Sequence, residues 1–146
     1  MTNQYLGTLP ALGQRLSSSA PGATGGVRTT LQVEGLALFV TAVALFVHFG
    51  YSGMLFAALF LVPDLSLLGY LAGPRLGALV YNTAHAMLGP LLLGVVAMSR
   101  LPATLPFALI WAAHVGFDRA LGYGLKYAAG FEQTHLGRVG RKLRRT

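Results

Sequence analysis

The sequence predicts an all-α protein: four apolar helices in an antiparallel transmembrane bundle with short loops, a disordered N-terminal arm and a basic C-terminal tail. Three observations carry that expectation. Hydrophobic residues make up 54% of the chain and charged ones only 10%, with mean hydropathy +0.60, whereas a soluble domain carries about 25% charged residues. Apolar stretches recur at lengths of about 20 residues, which suffices to cross a hydrocarbon core. The connections between them are short, so neighbouring helices run antiparallel.

The elements follow in order. Residues 1–30 are rich in Gly, Ser, Thr and Ala, with Arg15 and Arg28 as their only charges. Such a stretch buries too little to fold and reads as a flexible arm, with Leu6–Leu16 a candidate surface helix. It lacks the long apolar core of a secretory signal, and its acid-poor composition also fits a transit peptide. Residues 31–127 form the helical domain. The first span runs from Leu31 to Gly50, with Glu34 at its entrance, where a helix N-terminus favours negative charge, and His48 at its exit. The second runs from Ser52 to Leu71 and is interrupted at Pro63-Asp64, where proline removes a backbone donor and kinks the helix. Gly73-Pro74-Arg75 makes the turn. The third, Leu76 to Met98, carries Tyr81, Asn82, His85 and a second kink candidate, Pro90. The fourth starts near Ala103 and continues to Tyr123, or as far as Tyr127. Residues 128–146 read as a basic interfacial tail.

Charge narrows the class further. The formal charge is +7, but Arg138, Arg141, Lys142, Arg144 and Arg145 gather beyond the last apolar stretch rather than over a soluble face. Bases beside a membrane segment are an orientation signal and a contact for anionic lipid, and nucleic acid is not an expected partner. Arg28, Arg75 and the tail fall on one side of the bundle and Arg100 alone on the other. The positive-inside bias therefore puts both termini in the cytoplasm, with the chain multi-pass in a bacterial inner membrane. The chain has no cysteine, which excludes disulfides, thiolate metal sites and cysteine nucleophiles.

Only four acids occur, Glu34, Asp64, Asp118 and Glu132, and two of them fall inside apolar spans. Charged groups are costly in hydrocarbon, so they face a bundle interior or a watery cavity. His114 and Asp118 are four residues apart and share one helix face. Asp64 precedes the Gly73 turn by nine residues and His85 follows Leu76 by nine, so both lie about 13 Å in from that turn. If the fourth helix extends to Tyr127, Asp118 and His114 fall in the same layer. Imidazole and carboxylate at one depth could hold a divalent metal, zinc or iron, through Asp64, His85, His114 and Asp118. His135 would add a ligand if its segment folds back. In that reading His114 and Asp118 are the catalytic pair, and Tyr81, Asn82, Arg119 and Lys126 contact the substrate, the last two gripping an anionic group. The competing readings are an interhelical polar network, with Asp64 or Asp118 paired to Arg119 or a histidine, and a proton relay. Metal bonds of about 2.0–2.2 Å to a common point separate the first from direct pairs at about 2.7–2.9 Å. Gly122-Tyr123-Gly124 resembles a potassium-filter triplet but lacks its flanking pattern; it reads as loose backbone at a helix end.

Four separated motifs also carry a resemblance: PDLSLLGY (Pro63–Tyr70), YNTAH (Tyr81–His85), HVGFDRALGYGLKY (His114–Tyr127) and FEQTHLG (Phe131–Gly137). Together they are similar to the bacterial domain-of-unknown-function family 4260, small integral membrane proteins. The likeness covers Val33 to Gly140; it implies a four-helix membrane protein and supplies no activity. A pattern-level similarity to bacterial membrane-bound metal-dependent hydrolases rests on the intramembrane His and Asp and assigns no residue.

The functional expectation is metal-assisted hydrolysis of a lipid-like substrate at this buried site. A small proton-coupled transporter, or a non-catalytic subunit of a larger membrane complex, is the alternative, and either would favour a homo-oligomer or larger assembly.

Overall fold

The computed structural model describes residues 22–139. The candidate helix at Leu6–Leu16 and the basic residues Arg141, Lys142, Arg144 and Arg145 lie outside them. The described chain is all-helical but for one small hairpin: α1 (Gly25–His48), α2 (Gly53–Leu59), a 3₁₀ segment (Val62–Ala72), α3 (Pro74–His85), α4 (Leu88–Ser99), a 3₁₀ turn (Pro102–Thr104) and α5 (Leu105–Leu121), then β1 (Gln133–Thr134) and β2 (Gly137–Arg138). Gly25–His48, Gly53–Ala72 and Pro74–Ser99 are each long and apolar enough to cross a membrane, which marks a membrane protein. At 17 residues, α5 is shorter.

Burial follows the logic of a bilayer rather than of water. In α1 only Gly35, Ala42 and Phe46 are buried, a narrow seam at helical spacing, while Val33, Val40 and Val47 are exposed. Large aliphatics can face outward because lipid tails are as apolar as they are. The seam packs on α5, and glycines let the two backbones meet. A Cβ on Gly35 would lie 2.6 Å from Arg119 Cβ and 2.9 Å from Gly116 O, and one on Gly116 would lie 2.7 Å from Phe39 N. Beyond this crossing, Phe46, Leu109 and Ile110 form an apolar cluster, flanked by Phe56 and Phe60.

Two prolines break the second and third spans, and in each case the break falls four residues upstream. The ring of a proline clashes with the carbonyl of residue i−4 and its missing N–H removes one rung. Pro63 thus stops α2 at Leu59, and the chain continues as a 3₁₀ segment in which Asp64 N–H bonds Leu61 O at 3.1 Å. Pro90 likewise acts on Ala86, which is extended (φ −78°, ψ 139°), so α3 ends at His85. Eleven residues of 3₁₀ structure is unusual, since such runs rarely exceed three or four residues. The breaks leave Asp64 beside one interruption and His85 at the other.

The fourth helix is shorter than the sequence led us to expect. It ends at Leu121, not at Tyr123 or Tyr127, because Gly122 turns left-handed (φ 89°). Gly122 N–H bonds Arg119 O at 2.9 Å and Tyr123 N–H bonds Asp118 O at 2.8 Å, the paired bonds that close a helix C-terminus. The residues expected to continue the helix instead fold back. Gln133–Thr134 pairs antiparallel with Gly137–Arg138, Lys126 bridges Thr134, and Ala23 N–H bonds His135 O at 2.7 Å. Within the stretch expected as an interfacial tail, Leu136 and Thr134 are completely buried. This folded segment stands in place of the expected helical turns, tied to Ala23 and to Asn82 of α3.

Replacing Gly35 with leucine forces α1 away from α5. Overpacking of this kind costs about 1–3 kcal/mol, so Gly35→Leu is expected to lower the thermal unfolding midpoint in detergent, while Gly94→Leu, whose Cβ would meet nothing within 4 Å, leaves it unchanged.

Candidate metal centre

Three chain segments bring four ionisable side chains to one point. The 3₁₀ segment supplies Asp64, the last residue of α3 supplies His85, and α5 supplies His114 and Asp118 one turn apart. One ligand atom from each lies within 4.8 Å of the other three. His85 Nε2 is 3.5 Å from Asp64 Oδ1 and 3.5 Å from Asp118 Oδ2. His114 Nε2 is 3.6 Å from Asp64 Oδ1 and 3.9 Å from Asp118 Oδ2, and the two Nε2 atoms are 3.2 Å apart. The histidines are almost fully buried, whereas the Asp64 side chain is 38% exposed and that of Asp118 17%. Asp64 is the open side of the group.

Neighbouring groups orient this set. His85 Nδ1 lies 2.9 Å from Tyr81 O. A carbonyl only accepts, so Nδ1 carries the proton, and in the neutral ring Nε2 then presents a lone pair to the centre. The Tyr81 ring stacks on His85 at 3.8 Å, and its hydroxyl donates to Asp118 Oδ2 at 3.2 Å. His114 packs edge-on to Phe60, ring centroids 5.4 Å apart, and its Nδ1 is buried without a partner among the described residues.

The other residues named from the sequence divide. Asn82 grips the backbone of Lys126 from both sides: Lys126 N–H donates to Asn82 Oδ1 at 2.7 Å and Asn82 Nδ2 donates to Lys126 O at 2.8 Å. Lys126 is itself buried. Its ammonium donates to Phe131 O at 3.2 Å and lies 3.6 Å from the Phe131 ring centroid and 4.7 Å from that of Tyr81. Burial pushes this lysine below its usual range, with the Asp118 carboxylate pulling the other way. Arg119 makes no ion pair within 4.0 Å among the described residues; it shares a small cavity with Glu34 and His135 on the α1 side. His135 is not brought to the centre. Its Nδ1 accepts Leu125 N–H at 2.8 Å, so its segment folds back as expected but spends the imidazole on its own backbone. His48 is exposed near the end of α1.

Two further residues carry no signal in the sequence. Trp111 donates its indole N–H to Ala84 O at 2.6 Å and so ties α5 to the end of α3. Ser66 Oγ is buried without a partner. Both border a cavity of about 420 Å³ beside the centre. Cavities are made by packing, and no local pattern of residues reports them.

Fold and site together define a class: a helical membrane protein whose interior carries a His₂Asp₂ group close enough to hold a metal ion. Within that class the chain belongs to the domain-of-unknown-function family DUF4260, which matches residues 28–139. No curated protein and no solved structure matches it.

Two outcomes test the frame around the centre. Asn82→Ala removes both bonds to Lys126, a loss of about 1–3 kcal/mol, and is expected to abolish hydrogen-exchange protection at the Lys126 amide. His135 responds to pH. Burial and the Arg119 charge hold its pKa below the ordinary 6.5, so the unfolded chain binds its proton more readily. The stability it confers is complete above that value and is lost as pH falls through the folded pKa. Protonated Nδ1 can no longer accept from Leu125. Protection of the Leu125 amide, corrected for intrinsic exchange, should therefore fall below pH 6.5 in the natural chain and be low and pH-independent in His135→Ala.

Proposed function

We propose that Asp64, His85, His114 and Asp118 hold a divalent cation, zinc or iron, and that the protein is a metal-dependent hydrolase of lipid-like substrates in a bacterial inner membrane, with both termini cytoplasmic. One observation carries this reading. Tetrahedral bonds of 2.0–2.2 Å place ligand atoms about 3.3–3.6 Å apart, and the His–His and four His–Asp separations run from 3.2 to 3.9 Å. A network of direct charge-assisted bonds would draw nitrogen and oxygen to about 2.7–2.9 Å. Here each His–Asp separation is longer than such a bond, and only the two Nε2 atoms come within hydrogen-bond distance. The donor set is imidazole and carboxylate with no sulfur, which suits zinc and iron.

Hydrolysis follows from the asymmetry of the set. A divalent ion lowers the pKa of a bound water to about 7. The two histidines and Asp118 are held by packing and by Tyr81, and form the fixed part. Asp64, the most exposed of the four, borders the side from which water and substrate arrive. With an ion bound, its second carboxylate oxygen would take the water's proton as the water oxygen bonds to an ester carbon or phosphorus, and would pass that proton to the alkoxide as the ester bond breaks and the alcohol leaves. Tyr81 holds Asp118 in orientation through its hydroxyl. Lys126, paired by position with Asp118 and surrounded by aromatic rings, adds positive potential on the side of an anionic head group. Anionic lipid at the basic tail would fix the same orientation in the leaflet.

Protein purified without chelator is expected to carry about one divalent ion per chain, measured by elemental analysis, and removing it should lower the unfolding midpoint. His114→Ala and Asp118→Ala should each lose the ion. Metal-free natural protein whose midpoint does not respond to added zinc or iron would remove this reading.

A further inference from the structure

Along α5 the chemistry changes in order. Phe107, Ile110 and Trp111 line the cavity of about 420 Å³. His114 stands one turn beyond Ile110, about 6 Å along the axis, and Asp118 one turn further. Lys126 follows past the helix end, beneath Tyr81. The other walls adjoin the centre as well. Pro63 and Ala84 line the cavity and are the immediate chain neighbours of Asp64 and His85. The apolar cavity therefore adjoins the ionisable centre on three segments, and along α5 the order is cavity wall, His114, Asp118.

We infer that this cavity binds the hydrocarbon chain of a single amphiphile drawn from the bilayer, and that it delivers the first polar group of that chain to the His/Asp centre. The inference rests on the proposed metal site for its chemistry but not for its existence. Val62, Ser66, Leu93, Phe107, Ile110 and Trp111 leave the lining almost wholly apolar, and its volume lies within the ~300–1,000 Å³ usual for small-molecule sites. The cavity is built, not a gap between loose helices. Trp111 closes one wall because Gly89 leaves room for the indole and Ala84 O fixes its N–H. The lining residues lie in spans apolar enough for a bilayer or in the first half of α5, so the surrounding phase supplies hydrocarbon rather than water. Ser66 lines the cavity, and its Oγ is buried with no partner among the described residues, a hydroxyl with hydrogen-bonding capacity to spare. An ester carbonyl oxygen near the head of an acyl chain would accept from it. A bare alkane satisfies the volume and leaves the hydroxyl orphaned, at a cost that buried donors normally avoid.

Trp111 is the only tryptophan in the chain, so its fluorescence reports on the cavity directly. The metal-loaded protein in nanodiscs is titrated with mid-chain dibrominated stearate and, separately, with its methyl ester, and metal content is read on the same samples. Saturable quenching, reversed by excess unlabelled methyl stearate, is expected. Leu93→Phe, which narrows the cavity from α4 away from all four ionisable residues, should weaken the apparent affinity at least about tenfold with metal content unchanged. Ser66→Ala should weaken the ester with no loss of metal. Quenching that rises linearly with probe and is the same in natural and Leu93→Phe protein would mean ordinary bilayer contact and overturn the inference. So would saturable binding indifferent to both substitutions. Metal without saturable quenching would sink the cavity site alone; saturable quenching in metal-free protein would sink the metal reading alone.

Discussion

Four ionisable side chains in a bundle of hydrocarbon have almost no partners except each other, and the structure is arranged around that constraint. Charges are expensive where water is absent, and they persist only when they meet one another, a backbone group or an ion. Asp64, His85, His114 and Asp118 come from three separate segments, so satisfying them also decides how the 3₁₀ segment, α3 and α5 sit together. A polar centre of this kind does for a membrane bundle what an apolar core does for a soluble domain. The outward faces contribute little to that choice, because aliphatic side chains gain nothing from turning inward when the surroundings are equally apolar.

The interruptions in the helices serve the same centre. Pro63 and Pro90 each break a span four residues upstream, and the two breaks flank Asp64 and His85. A straight helix could offer these side chains only at fixed angular steps. The 3₁₀ segment and the extended Ala86 free the backbone to aim them. The close crossing of α1 and α5 at Gly35 and Gly116 then backs α5 with a full-length helix. Beyond Leu121 the folded segment takes over, with Asn82 holding it to α3 and Lys126 filling the space beneath Tyr81. The segment between Gly122 and Arg138 is thus partly a cap on the interior, with Lys126, Thr134 and Leu136 buried.

Along α5 the interior changes from apolar to ionisable. The cavity wall, His114 and then Asp118 follow one another over a few helical turns. The amphiphile inferred above would lie along that order, with its tail in the cavity and its first polar group at the ionisable residues.

Much of this was legible in the sequence. Composition alone made the chain helical and apolar, and the scarcity of acids singled out Asp64 and Asp118, with His85 and His114 at matching depth. A helix running to Tyr127 is what spacing suggests, but α5 ends at Leu121, three residues after Asp118, because Gly122 turns left-handed, and the chain folds back from there. His135 shows the same limit. Its segment folds back, yet its imidazole serves Leu125 rather than the centre, because a hydrogen-bond choice between near neighbours depends on ångströms that spacing does not encode. By itself, then, the sequence determined the solvent this chain is built for and which side chains are too costly to leave alone in it. Only the tertiary structure decided that they converge on one point, that Lys126 is buried, and that Ser66 and Trp111 border a cavity, since a cavity is the shape left over when distant segments pack and belongs to no stretch of residues.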